Sequence, residues 1–125
     1  MKGIKHFMVL VGIVFWVKSS FGQTKISNSQ FKTLATNTDA VILDVRTPEE
    51  FAEGHIPEAI NCPLSTFAAT SEILDKEKKV VVYCNSGGRS YGAYIKLMKL
   101  GYKNIAQAIF ADWNEAGLPV ATEPL

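Results

Sequence analysis

The chain is poor in cysteine, nearly balanced in charge and without an apolar run long enough to span a membrane. Only Cys62 and Cys84 occur among its 125 residues, with no CxxC pair and no Cys/His cluster at metal-ligand spacing. That argues against a structural zinc and against a dithiol redox motif. No metal and no cofactor is expected. Thirteen basic residues face twelve acidic ones, so the basic footprint of a nucleic-acid binder is missing. The apolar run Phe7–Val17 covers eleven residues, whereas a bilayer needs about 20. There is no internal repeat and no low-complexity tract.

That short run fits a leader. Lys2 and Lys5 precede it, and Ser20-Phe21-Gly22 follows with small residues at the first and third positions. This is the layout of a secretory signal peptide over residues 1–22, cleaved before Gln23. The product is expected to be exported, periplasmic or secreted, with no stable membrane anchor. Residues 23–125 then form one domain, large enough to bury somewhat over ~60% of its unfolded surface. The leader removes Lys2, Lys5 and Lys18 and no acid, so ten basic residues remain against twelve acidic. An oxidising compartment also makes a Cys62–Cys84 disulfide the competing fate of the two thiols.

Residues 23–30 read as a polar linker merging into a short helix over Gln30–Ala35. Val41–Val45 is a β-branched apolar run and reads as a buried strand. Thr47-Pro48-Glu49-Glu50 opens a helix, with Thr47 as cap, Pro48 at the first turn and Glu50 returning a bond to the cap. Gly54 ends it. Ile60–Pro63 predicts a second strand and Ser65–Leu74 a helix, followed by the charged turn Asp75–Lys79. Val80–Tyr83 is continuously apolar, as strands covered on both faces are. Arg89–Leu100 carries Tyr91, Tyr94, Ile95 and Met98 at helical spacing before Gly101. Asn104–Ala108 reads as a last strand and Trp113–Ala116 as a last helical turn. Alternating strands and helices predict a three-layer α/β domain, with a central parallel sheet flanked by helices. Ligands in such sheets bind beyond the carboxyl ends of the strands, and Cys84 lies at that end of the clearest strand.

The loop Cys84-Asn85-Ser86-Gly87-Gly88-Arg89-Ser90 carries the chemistry. Thiolate is the reactive form of cysteine, and a free thiol has a pKa of about 8.5. A helix N-terminus favours the anion by about 0.3–1 kcal/mol, and each N–H aimed at a charged sulfur adds about 1.5–3 kcal/mol. Gly87 and Gly88 can take the positive φ angles that curl such N–H groups inward. Arg89 adds a permanent charge on a planar fork, and Ser90 caps the helix or donates into the loop. Asn85 and Ser86 contribute backbone. The assembled site would hold a thiolate and accept an oxyanion. An inert buried thiol at Cys84 and a surface cation at Arg89 are the plainer readings.

In this loop the chain resembles the rhodanese-like sulfurtransferases. Their active loop, Cys-x-x-Gly-x-Arg-Ser/Thr, is matched by CNSGGRS at Cys84–Ser90. DVRTPEEFAEGHIPEAIN at Asp44–Asn61 matches a second motif of the family, and Trp113 with Gly117–Val120 a third. The likeness spans about residues 26–121. One departure is Ala108-Ile109, where the family often has two glycines. The resemblance implies a double displacement in which Cys84 takes sulfur from a donor such as thiosulfate and passes it to cyanide or a thiol. It also implies Cys84 and Arg89 as catalytic residues, with Asn85, Ser86, Gly87, Gly88 and Ser90 as the anion-binding loop. A monomer acting on small molecules is expected, with a protein thiol as an alternative acceptor.

The remaining polar residues have plainer expectations. Asp44 and Arg46 read as a structural ion pair or loop brace. His55 reads as a turn histidine bonding backbone, with a base as its alternative. Cys62 reads as a small core hydrophobe and Trp113 as packing. Three rival functions share the scaffold or the residues. A phosphatase or arsenate-reductase-like enzyme carries five residues between Cys and Arg, where this chain has the four from Asn85 to Gly88. A non-catalytic binding module on the same fold typically lacks the cysteine. A thiol–disulfide oxidoreductase would use Cys62 with Cys84.

Overall fold

The computed structural model describes residues 25–36, 39–67 and 75–124. The molecule is arranged around β3 (Lys79–Cys84), whose five residues after Lys79 are all buried. The two-residue period of a strand sends them to opposite faces. Val80, Val82 and Cys84 enter one apolar cluster, and Val81 and Tyr83 enter the other. This double burial is why the segment has no polar alternation.

β1 (Ala40–Asp44), β2 (Ile60–Asn61) and β4 (Asn104–Ile109) complete a four-stranded sheet of order β2-β1-β3-β4. Every pairing is parallel, with Asp44 level with both Asn61 and Tyr83. α3 (Gly88–Lys99) covers one face through Ala93 and Leu97. α1 (Asn28–Ala35) and α4 (Phe110–Glu115) cover the other through Phe31, Phe110 and Trp113. The expected three-layer α/β domain with a central parallel sheet is therefore the observed one. From β1 the chain steps outward to β2, and from β3 it steps the opposite way to β4. The order thus reverses between β1 and β3, and the crevice outside their carboxyl ends is where such sheets bind ligands.

α2 (Pro48–Glu53) follows β1 and begins as expected, with Thr47 and Glu50 forming a capping box and Gly54 at its end. Several boundaries differ from expectation. α1 starts at Asn28, because Ser27 and Gln30 form a second capping box. Just before it, Ile26 N–H donates to the Gln107 carbonyl (2.9 Å), so this stretch borders β4 and is not a loose linker. β2 stops at Asn61, though Cys62 N–H still reaches the Asp44 carbonyl at 2.7 Å. The helix expected over Ser65–Leu74 opens as a 3-10 turn at Leu64–Thr66, and residues 68–74 lie outside the described residues. So do residues 1–22, the segment expected to be a leader. The last helical turn begins earlier than expected, at Phe110.

Candidate active site

Cys84 ends β3 with its side chain almost fully enclosed, at 1% exposure. The chain then turns back over the sulfur. Gly87 N–H donates to Sγ at 3.0 Å and Ser90 N–H at 3.3 Å. Burial by itself pushes the thiol pKa up, since it disfavours the anion. Hydrogen bonds from the Ser90 hydroxyl and from the N–H groups of Ser90, Gly87 and Ser86 outweigh it, and the net shift is downward. The expected nest is present and centred on the sulfur.

The two glycines do different things. Gly87 sits at φ +113°, and a Cβ there would lie 3.1 Å from Ile109 Cδ1. Gly88 was expected to share this role. Instead it opens α3 without a left-handed backbone, and a Cβ there would meet nothing within 4 Å. Gly87→Ala is therefore expected to cost about 1–3 kcal/mol in backbone strain and to displace the N–H nearest the sulfur. Gly88→Ala is expected to be neutral or to stabilise by up to about 1 kcal/mol, as alanine does at a helical position. Thermal melts with Cys84 alkylation rates check both. A Gly87→Ala protein as stable and as reactive as the parent would contradict the assignment.

Arg89 follows at the start of α3, but its fork does not point at the sulfur. Its two terminal nitrogens donate to the Glu50 carboxylate at 2.6 and 3.0 Å. Arg89 holds the Glu50 carboxyl down, to about 2, against a smaller upward push from burial. The pair is partly exposed, at 39% for the Arg89 side chain and 34% for Glu50, so its own contribution to stability is small. What it does is geometric. Glu50 also accepts from the Thr47 backbone at 3.1 Å, so one carboxylate ties the loop after β1 to the helix after β3. The Asn85 carbonyl accepts from Ala111 N–H at 3.1 Å and ties the cysteine loop after β3 to α4. The Asn85 and Ser86 side chains are exposed.

Beneath the loop lies a buried polar chain. Arg46 Nε donates to Asp44 at 3.0 and 3.1 Å, and one terminal nitrogen donates to Asp44 at 2.7 Å and to the Gly54 carbonyl at 2.6 Å. Burial opposes the Arg46 charge, and the bonds and charge of Asp44 more than restore it. The guanidinium stands 4.3 Å from the Phe110 ring centre, a cation–π distance. Ile56 N–H donates to the Tyr83 hydroxyl at 3.0 Å, and burial holds that phenol far above its usual pKa, hence neutral. The ion pair expected of Asp44 and Arg46 is present. His55 also bonds backbone, with Nδ1 2.8 Å from the Phe51 carbonyl and its ring stacked on Phe51 at 3.7 Å.

A cleft of about 360 Å³ opens beside the loop, between Arg46, Glu50, Gly54, Asn85, Phe110 and Asn114. A larger apolar cavity of about 650 Å³ reaches Lys32, Ala40, Ile42 and Trp113 and includes no residue of the Cys84 loop. The smaller one reaches the cysteine loop, at Asn85, and the Arg89 partner Glu50. Trp113 packs on Phe31 at 4.9 Å, in keeping with a core role.

Cys62 is fully buried in the cluster under α3, and neither cysteine forms a disulfide. Cys62 N–H bonds to the Asp44 carbonyl and Val45 N–H to the Tyr83 carbonyl, so β1 runs between the two cysteines. Two strand spacings separate them by about 10 Å, and a disulfide needs Cα atoms within about 7 Å. Cys62 cannot bridge Cys84 in this fold.

A family model described as the rhodanese-like domain matches residues 27–115. The chain belongs to the rhodanese-like family. A sulfurtransferase of Allochromatium vinosum is 39% identical over 97 residues, covering 75% of this chain and 90% of that protein. The thiosulfate sulfurtransferase GlpE of Coxiella burnetii is 34% identical over 91 residues, covering 71% and 85%. Among solved structures, a rhodanese-related protein from Thermoplasma volcanium matches with a TM-score of 0.71 at 34% identity, covering 79% and 98%. At the Ala108-Ile109 departure, Ile109 has ordinary extended backbone at φ −121°. Its side chain packs on Gly87.

Proposed function

We propose that this rhodanese-like protein is a sulfurtransferase working through a persulfide on Cys84. The observation that carries the reading is the pair of N–H groups from Gly87 and Ser90 on a buried sulfur at the carboxyl end of β3. The Cys84 thiolate attacks the outer sulfur of an anionic donor such as thiosulfate. The donor's S–S bond breaks, and sulfite leaves with the bonding pair. A thiophilic acceptor, cyanide or a thiol, then takes the outer sulfur and Cys84 thiolate is regenerated. Dividing the transfer through a covalent intermediate is nucleophilic catalysis, and the loop N–H groups stabilise the sulfur anion at both stages. Relatives named sulfurtransferase and thiosulfate sulfurtransferase support the same reading. The proposal includes export through residues 1–22 and action as a monomer.

Arg89 is assigned the charge that receives the oxyanion. Its guanidinium carries more N–H donors than Glu50 engages, so a donor can bind without breaking the ion pair. Arg89→Ala is expected to lower kcat/KM for thiosulfate roughly 10- to 150-fold, the loss of one charge-assisted hydrogen bond. Arg89→Lys should recover only part, because lysine lacks the fork. Steady-state kinetics with circular dichroism tests this. A folded Arg89→Ala protein with unchanged kcat/KM would leave Arg89 a purely structural role.

A further inference from the structure

Gln107 is an unusual residue for its place. It lies on β4 level with Val82, whose side chain is in the core under α3, and it is only 7% exposed. Burying an amide costs free energy unless it is hydrogen-bonded, and an apolar residue would pack there without that cost. The amide meets Ser90, which is fully buried in the first turn of α3: Ser90 Oγ and Gln107 Oε1 are 3.1 Å apart. Ser90 Oγ is also 3.1 Å from the Gly87 carbonyl; Ser90 N–H donates to the Cys84 sulfur at 3.3 Å, and the Ser90 hydroxyl favours the thiolate there. A hydroxyl has one hydrogen, so it cannot serve all three acceptors.

We infer that Gln107 is a positioning residue that decides, through the Ser90 hydroxyl, how many donors the Cys84 sulfur receives. The inference rests on the sulfurtransferase reading and deepens it. A side-chain amide offers an acceptor at one end and a donor at the other. With Oε1 toward Ser90, the hydroxyl hydrogen is held away from the sulfur, which suits a neutral thiol. With Nε2–H toward Ser90, Oγ accepts and its hydrogen turns onto the sulfur, joining the N–H groups of Gly87 and Ser90 around an anion. Hydrogen bonds in such a chain strengthen one another. The amide moves no proton: the thiol proton leaves to solvent on ionisation.

The charged groups around Cys84 come from the neighbouring elements. α3 contributes Arg89, α2 contributes Glu50 paired with it, and the end of β1 contributes the Asp44–Arg46 pair. β4, Asn104–Ile109, carries no charged residue, so Gln107 is its polar group nearest the site.

The test is the pH dependence of Cys84 alkylation by iodoacetamide, read on the Cys84 peptide by mass spectrometry. Gln107→Met keeps the volume and removes the amide, and its titration midpoint should rise by about half a unit to one unit. Gln107→Glu removes the donor and adds a like charge, so its midpoint should rise further. In a Ser90→Ala background the Gln107→Met shift should vanish. Unchanged midpoints in both folded Gln107 variants would overturn the inference. So would a Gln107→Met shift that survives without the Ser90 hydroxyl. Absence of sulfur transfer in the unmodified protein would count against the sulfurtransferase reading alone, because alkylation requires no sulfur donor.

Discussion

Cys84→Ser is expected to reduce thiosulfate:cyanide sulfur transfer to background, while Cys62→Ala retains most of it. A serine hydroxyl in the same nest stays protonated at neutral pH and forms no persulfide. Cys62 is buried a strand away from the loop, with β1 between. Its truncation costs some packing and leaves every donor around Cys84 in place. Initial rates of thiocyanate formation, with circular dichroism on each variant, give the comparison. Equal losses from both substitutions in folded proteins would point to a two-cysteine redox mechanism, and the strand geometry argues against that outcome.

Arg46→Ala is expected to be the most destabilising single change near the site. The side chains of Asp44 and Arg46 are 0% and 5% exposed, so removing the guanidinium strands a carboxylate in the interior. Breaking a buried pair this way costs about 3–5 kcal/mol, a large share of the about 5–15 kcal/mol that holds a typical domain. At roughly 4–8 °C per kcal/mol for a domain of this size, the melting temperature should fall by roughly 12–40 °C. Arg46→Lys keeps the charge without the fork to Asp44 and Gly54, and should lie between. A calorimetric melt of Arg46→Ala within about 1 kcal/mol of the parent would mean the pair behaves as an exposed one. Arg89→Ala is the contrasting case, since its ion pair is half-exposed and its loss should register in kinetics more than in stability.

These two ion pairs also show what could be read from the sequence. Asp44 and Arg46 are two positions apart at the end of an evident strand, and their pairing was legible. Arg89 and Glu50 lie 39 positions apart, and only the β1–β3 adjacency brings them together. Glu50 was readable as a helix cap, which it is, but not as the anchor of the cysteine loop. Gln107 and Tyr83 were hidden differently, as members of apolar strands whose polar ends have meaning only against a neighbouring element. The Gly87-Gly88 pair signalled a tight turn, but which glycine takes the positive φ depends on where α3 begins. The Cys84 loop itself was legible because strand, turn and helix are contiguous there. The start of α1 carries a local signal too, since Ser27 three residues before Gln30 has the spacing of a capping box.

Peptide mass spectrometry after incubation with thiosulfate reads the proposed Cys84 persulfide itself. The peptide containing Cys84 should gain the mass of one sulfur atom, the peptide containing Cys62 should not, and cyanide should remove the added sulfur as thiocyanate. A folded protein whose Cys84 peptide gains no sulfur, or that carries it on Cys62, would rule out a sulfur relay through Cys84.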